Sequence, residues 1–148
     1  MRLARLLSIL AVAGLIPGGC GARALTGSHL RTTATRICGV AARLADEIPS
    51  PATPAAGAAF IRRGIDVFSP ELSELRKLQV SSASSRTYAT ALAAIAAELS
   101  AMRSALNTLN AGGDSTNTIK RLQRRLEPQE SRANLAWQTL EIPACQSR

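Results

Sequence analysis

A chain of 148 residues sets an expectation of one domain, long enough to bury a core without a metal or a set of disulfides. Aromatic residues make up only 3% of it, and Ala, Leu and Ile supply most of the apolar side chains, which weighs against sheets and for closely packed helices. The formal net charge of +8 makes an anionic surface or partner the natural electrostatic counterpart.

The first element in chain order is an export leader. Arg2 and Arg5 precede an apolar run from Leu6 to Ile16 broken only by Ser8, and Pro17-Gly18-Gly19-Cys20-Gly21-Ala22-Arg23-Ala24 follows. A basic start, a short apolar stretch and a small-residue cleavage zone make up a secretory signal. The run falls well short of the roughly 20 apolar residues that span a bilayer, and nothing later in the chain is expected to serve as a span.

Gly18-Gly19-Cys20, directly after the apolar run, resembles the lipobox of bacterial lipoproteins. That resemblance implies a signal peptide over residues 1–19 and a diacylglyceryl group, with palmitate-type acyl chains, on Cys20 as the mature N-terminus. A tether over 20–28 and a helical domain over 29–148 would follow. Pro17 departs from the pattern, which carries an aliphatic residue there. Ala22-Arg23-Ala24 offers a competing cleavage after Ala24, which would release a soluble secreted protein without Cys20.

The three cysteines, Cys20, Cys38 and Cys145, are an awkward odd number for an oxidising compartment. Lipidating or discarding Cys20 leaves two. Cys38 and Cys145 would then close nearly the whole domain in one disulfide, with about 4.7 kcal/mol expected from loop entropy for a loop of roughly 100 residues. The alternative is a pair of buried free thiols acting as small hydrophobes.

Helical periodicity runs through the rest of the chain. Leu30, Ala34, Ile37, Ala41, Leu44 and Ile48 alternate spacings of four and three and define a first helix, which Pro49, Pro51 and Pro54 end with a semi-rigid linker. Ile61, Ile65 and Phe68 predict a second helix. Ser69-Pro70-Glu71 reads as a cap, first-turn proline and early carboxylate that restart it, with Leu72, Leu75 and Leu78 continuing the stripe. Tyr88, Leu92, Ile95, Leu99, Met102, Leu106 and Leu109 predict a long third helix, from about Ser82 to Asn110, ended by Ala111-Gly112-Gly113. Asp114-Ser115 caps a fourth helix carrying Ile119, Leu122 and Leu126, then Ala133, Trp137 and Leu140 after Pro128, which should kink or split it. The expected fold is an all-α, antiparallel, up-down-up-down four-helix bundle with proline breaks near Pro70 and Pro128.

Chemistry-bearing constellations are sparse. His29 is the single histidine and has no acidic residue within four positions, so a surface role is expected. No spacing of Cys, His, Asp or Glu suggests a metal or cofactor site, and no catalytic set is expected. Glu71 and Glu74 share one helical face without a third ligand. Ser84 and Ser85 lack the turn context and partner of a nucleophile.

Charge is the remaining signal. Without residues 1–19, 16 basic side chains face 10 acidic ones. Lys120, Arg121, Arg124 and Arg125 form a basic patch on the fourth helix, with Arg132 further along. Behind an export leader, its expected targets are anionic headgroups or acidic envelope polymers rather than nucleic acid. An ordinary solvated helix face is the plainer reading.

Phe68-Ser69-Pro70-Glu71-Leu72, together with the closing Leu140-Glu141-Ile142-Pro143-Ala144-Cys145, resembles small helical exported proteins and lipoproteins of high-GC actinobacteria. The resemblance implies export, a helical fold and a structural C-terminal cysteine, and transfers no catalytic residue. The leading functional expectation is a non-enzymatic, lipid-anchored envelope protein that meets another protein or a membrane surface. The second is a soluble secreted protein holding a small apolar ligand near Tyr88, Met102 and Trp137.

Overall fold

In the computed structural model, the described residues 27–146 form four α-helices: α1 (Gly27–Asp46), α2 (Gly57–Arg76), α3 (Ser82–Asn110) and α4 (Ser115–Thr139). Short 3-10 turns at Pro54–Ala56 and Pro143–Cys145 lead into α2 and close the chain. Consecutive helices pack antiparallel, α1 on α2, α2 on α3 and α3 on α4, so the all-α bundle is the fold.

The predicted helix ends hold where backbone chemistry dictates them. The Asp114 side chain accepts a 2.7 Å hydrogen bond from the Asn117 N–H, capping α4. Gly112 takes φ +82°, and the Gly112 and Gly113 N–H groups donate to the Leu109 and Thr108 carbonyls, which is how a glycine in the left-handed region closes a helix.

Neither proline splits its helix. α2 runs through Pro70 and α4 through Pro128 without interruption. Each proline forfeits one amide donor, yet Leu72 and Leu75 beyond Pro70, like Ala133 and Trp137 beyond Pro128, bury in the core their helix already serves. Ser69 caps nothing; its Oγ accepts a 2.9 Å bond from Arg103 Nη2 on α3.

Leu44 is a correction, being 46% exposed beside the equally open Val40. A strict four-three repeat drifts about 20° per heptad against a straight helix, so two heptads after Leu30 the stripe has rotated off the core.

The core divides into two clusters. One is built by all four helices and the C-terminal turn, around Leu30, Ala34, Leu75, Tyr88, Ile95 and Trp137. The other, around Ile61, Ala101, Ala105 and Leu122, draws on α2, α3 and α4 alone. On α3, Ala91, Ala94, Ala101 and Ala105 are all buried, and α4 packs along this helix more extensively than any other pair of elements meets. Methyl-sized side chains permit that close approach. The most apolar 18-residue window of α3 has a mean hydropathy of 1.2, so by length and composition this helix could cross a bilayer. That corrects the expectation that no later segment qualifies; here α3 is the helix on which both α2 and α4 pack.

Candidate functional site

Cys38 and Cys145, 107 positions apart in sequence, are joined in a disulfide with their Cα atoms 5.1 Å apart. Both are buried, at 2% and 0% exposure. The chain reaches Cys38 because α4 ends in a tight reversal. The Ile142 N–H donates to the Trp137 carbonyl, the Glu141 N–H donates to the Gln138 carbonyl, and Glu141 adopts φ +58°. Ile142, 0% exposed, then folds back into the same apolar cluster as Trp137. Glu141 Oε2 also meets Arg31 Nη1 at 3.1 Å, a solvent-exposed pair tying the reversal to α1.

Cys20 lies outside the described residues. His29 is exposed in the first turn of α1. Glu71 and Glu74 separate by environment: Glu71 is 4% exposed, whereas Glu74 is exposed and pairs with Lys77 one turn on. Both border a hollow beside Pro70 that is walled on the α1 side by Arg36 and Val40, and His29 does not line it. Among the described residues, no three His, Cys, Asp or Glu side chains converge as a metal-binding set.

Tyr88 and Trp137 meet edge to face in the core, their ring centroids 5.7 Å apart. They are 3% and 0% exposed, so these rings are packing elements. The Tyr88 hydroxyl donates to the Leu75 carbonyl at 2.7 Å, and burial holds its pKa well above the usual phenol range. Met102 stands apart from both, its methyl against Gly64: a Cβ at that glycine would lie 2.7 Å from Met102 Cε. The three residues therefore do not line one cavity.

Lys120, Arg121, Arg124 and Arg125 are all exposed. Their positions span one outward arc of α4, roughly opposite Leu122, Ala133 and Ala136, which bury. Arg121 Nη2 donates to Thr118 Oγ1 at 3.2 Å. Among the described residues no ion pair ties any of the four to a carboxylate. Four uncompensated cations on two turns make a positive surface suited to attracting anions.

The position of this face follows from topology. α1 enters at Gly27 and buries Leu30 in the four-helix cluster, while Leu122 belongs to the cluster built by α2, α3 and α4. The basic face thus sits toward the end of the bundle opposite Gly27. An apolar trough of about 540 Å³ runs beside it, between the Pro51–Pro54 linker and the first turns of α2 and α4. Periodicity alone could not reveal it, because Ile119 and Leu126 keep the spacing of a core stripe and Phe60 is a single apolar residue beside the stripe of Ile61, Ile65 and Phe68.

No protein-family model matches the chain, and comparisons with curated proteins and with solved structures find no match.

Proposed function

We propose that this chain is a non-enzymatic envelope protein, exported, anchored to the membrane through a lipid on Cys20, and using the outward face of α4 to hold an anionic partner. The observation that carries the reading is the Cys38–Cys145 bond. Disulfides persist in oxidising compartments, and this one uses two of three cysteines, leaving Cys20 immediately behind the apolar run and Gly18-Gly19. The partner class follows from charge: Lys120, Arg121, Arg124 and Arg125 are exposed and free of carboxylate partners among the described residues. Their place away from the Gly27 end favours an acidic protein or polymer of the envelope over the headgroups of the anchoring membrane.

The test has two parts. The intact mass of the protein from its host, with and without reduction, is expected to match residues 20–148 plus acyl groups, with a gain of two protons on reduction. A mass beginning at Leu25 overturns the anchor. Charge reversal of the four basic residues is expected to abolish salt-sensitive binding to acidic envelope polymer, and unchanged binding overturns the assignment of the surface.

A further inference from the structure

The core cluster around Ile61, Ala101, Ala105 and Leu122 draws nothing from α1, which leaves one end of this bundle short of its fourth member. α1 has 20 residues and α3 has 29, so at 1.5 Å per residue α1 falls roughly 13 Å short of the length of α3. Beyond Asp46 the chain crosses as a proline-rich linker in place of another helical turn, and its Pro51, Ala52 and Pro54 form one wall of the gap. Phe60, at the start of α2, consequently remains 40% exposed in the gap.

The gap has a shape. Phe60, Ile61, Ile119, Leu122 and Leu126 wall the trough of about 540 Å³, a volume within the range of small-molecule sites. Within it α2 and α4 approach closely: a Cβ at Gly57 would lie 3.0 Å from Ile119 Cδ1. Phe60 and Leu126 also border a second hollow of about 410 Å³ that continues past Phe68 and Met102. The whole depression is therefore elongated, following the course a longer α1 would have taken.

Its charge is one-sided. Lys120 is the single charged residue lining the first trough; Arg124, one turn along α4, and Glu127, one turn past Gln123, stand outside the lining. The carboxylates Asp46, Glu98 and Glu130 border the second hollow instead. An anionic group is attracted to the Lys120 end and repelled from the far end, whereas an apolar chain is accepted along the length.

We infer that this trough binds a single linear acyl chain carrying an anionic head. The head lies against Lys120 and Arg124, and the chain runs over Phe60 and Leu126 toward Met102. A cationic amphiphile is disfavoured by the same two residues. The site goes beyond the anchoring role and does not depend on Cys20, because it is at the end of the bundle away from Gly27.

The experiment uses the full chain, exported so that the disulfide forms, and cis-parinaric acid, whose fluorescence rises on entering an apolar site. Saturable binding is expected. Lys120→Glu combined with Arg124→Glu, both at exposed positions, weakens the acid by about tenfold or more, the scale of losing one charge-assisted contact, while the methyl ester binds as before. Phe60→Asp abolishes binding of both, with helical circular dichroism unchanged. Absence of saturable binding, an unaffected Phe60→Asp variant, or equal loss of acid and ester overturns the site. So does a Phe60-dependent dimer, which would assign the trough to a second copy of the chain. Vesicles of phosphatidylglycerol bearing a fluorescent acyl chain distinguish the source. Extraction of the labelled lipid assigns the acyl chain to a membrane lipid, and uptake of the free acid alone assigns it to a soluble fatty acid.

Discussion

The hydroxyl of Tyr88, near the start of α3, donates a 2.7 Å hydrogen bond to the main-chain carbonyl of Leu75, in the last turn of α2. That carbonyl also accepts the Leu78 N–H at 3.1 Å, so a side chain from the next helix adds a second bond at the end of α2. Removing the hydroxyl in Tyr88→Phe takes away this bond while the main-chain one stays. The expected cost is about 0.5–1.5 kcal/mol, read from the urea midpoint at unchanged slope.

The same burial makes stability fall in alkali. Desolvation raises the folded-state pKa of Tyr88 above the ordinary value of 10.0. The unfolded chain therefore releases this proton first, and the folded state binds more protons at high pH. Stability from this group is complete below pH 10 and is lost as pH rises past it. Tyr88 is the sole tyrosine. Phenolate absorbance should appear well above the pH of free tyrosine and together with loss of helical circular dichroism. Phenolate forming near pH 10 in a fully helical protein would contradict the burial.

Reducing the Cys38–Cys145 bond, or replacing both residues with Ser, should lower stability by about 4–5 kcal/mol, the loop-entropy value for a closed loop of roughly this length. Thermal unfolding with and without reductant measures it. A change under about 1 kcal/mol would mean that the unfolded chain already holds its ends together.

Pro128 is exposed within α4, so Pro128→Ala restores a main-chain bond to the preceding turn without touching the core. The intrinsic gain of about 3 kcal/mol is offset by up to about 1 kcal/mol of regained unfolded-state freedom, leaving a net stabilisation of about 2 kcal/mol. A rise in the urea midpoint checks it.

Glu141 carries a side chain at φ +58°, where glycine is relaxed. Glu141→Gly removes that strain and also the exposed pair with Arg31, which contributes little. A stabilisation of about 0.5–1 kcal/mol is expected in thermal unfolding. A clear loss would show that the Arg31 pair holds the reversal in place.

The helical class, the ends of α3, the Gly112 turn and the Asp114 cap were all legible in the residues, because each depends on interactions within a few positions of the chain. Cys38 and Cys145 were legible as the favoured pair by cysteine count, with free thiols the lesser option, and α1 and the reversal at Glu141 bring them within bonding distance. Pro70 and Pro128 went the other way. Local chemistry at each proline says stop, and only the burial available to Leu72, Leu75 and Trp137 further on overrides it. The acyl trough was not legible at all. Ile119 and Leu126 carry ordinary core periodicity, Phe60 lies beside the stripe of Ile61, Ile65 and Phe68, and Lys120 is an ordinary surface charge. What sets them apart is the place where α1 stops relative to α2, α3 and α4, and a helix length acquires that meaning only when its neighbours are packed beside it.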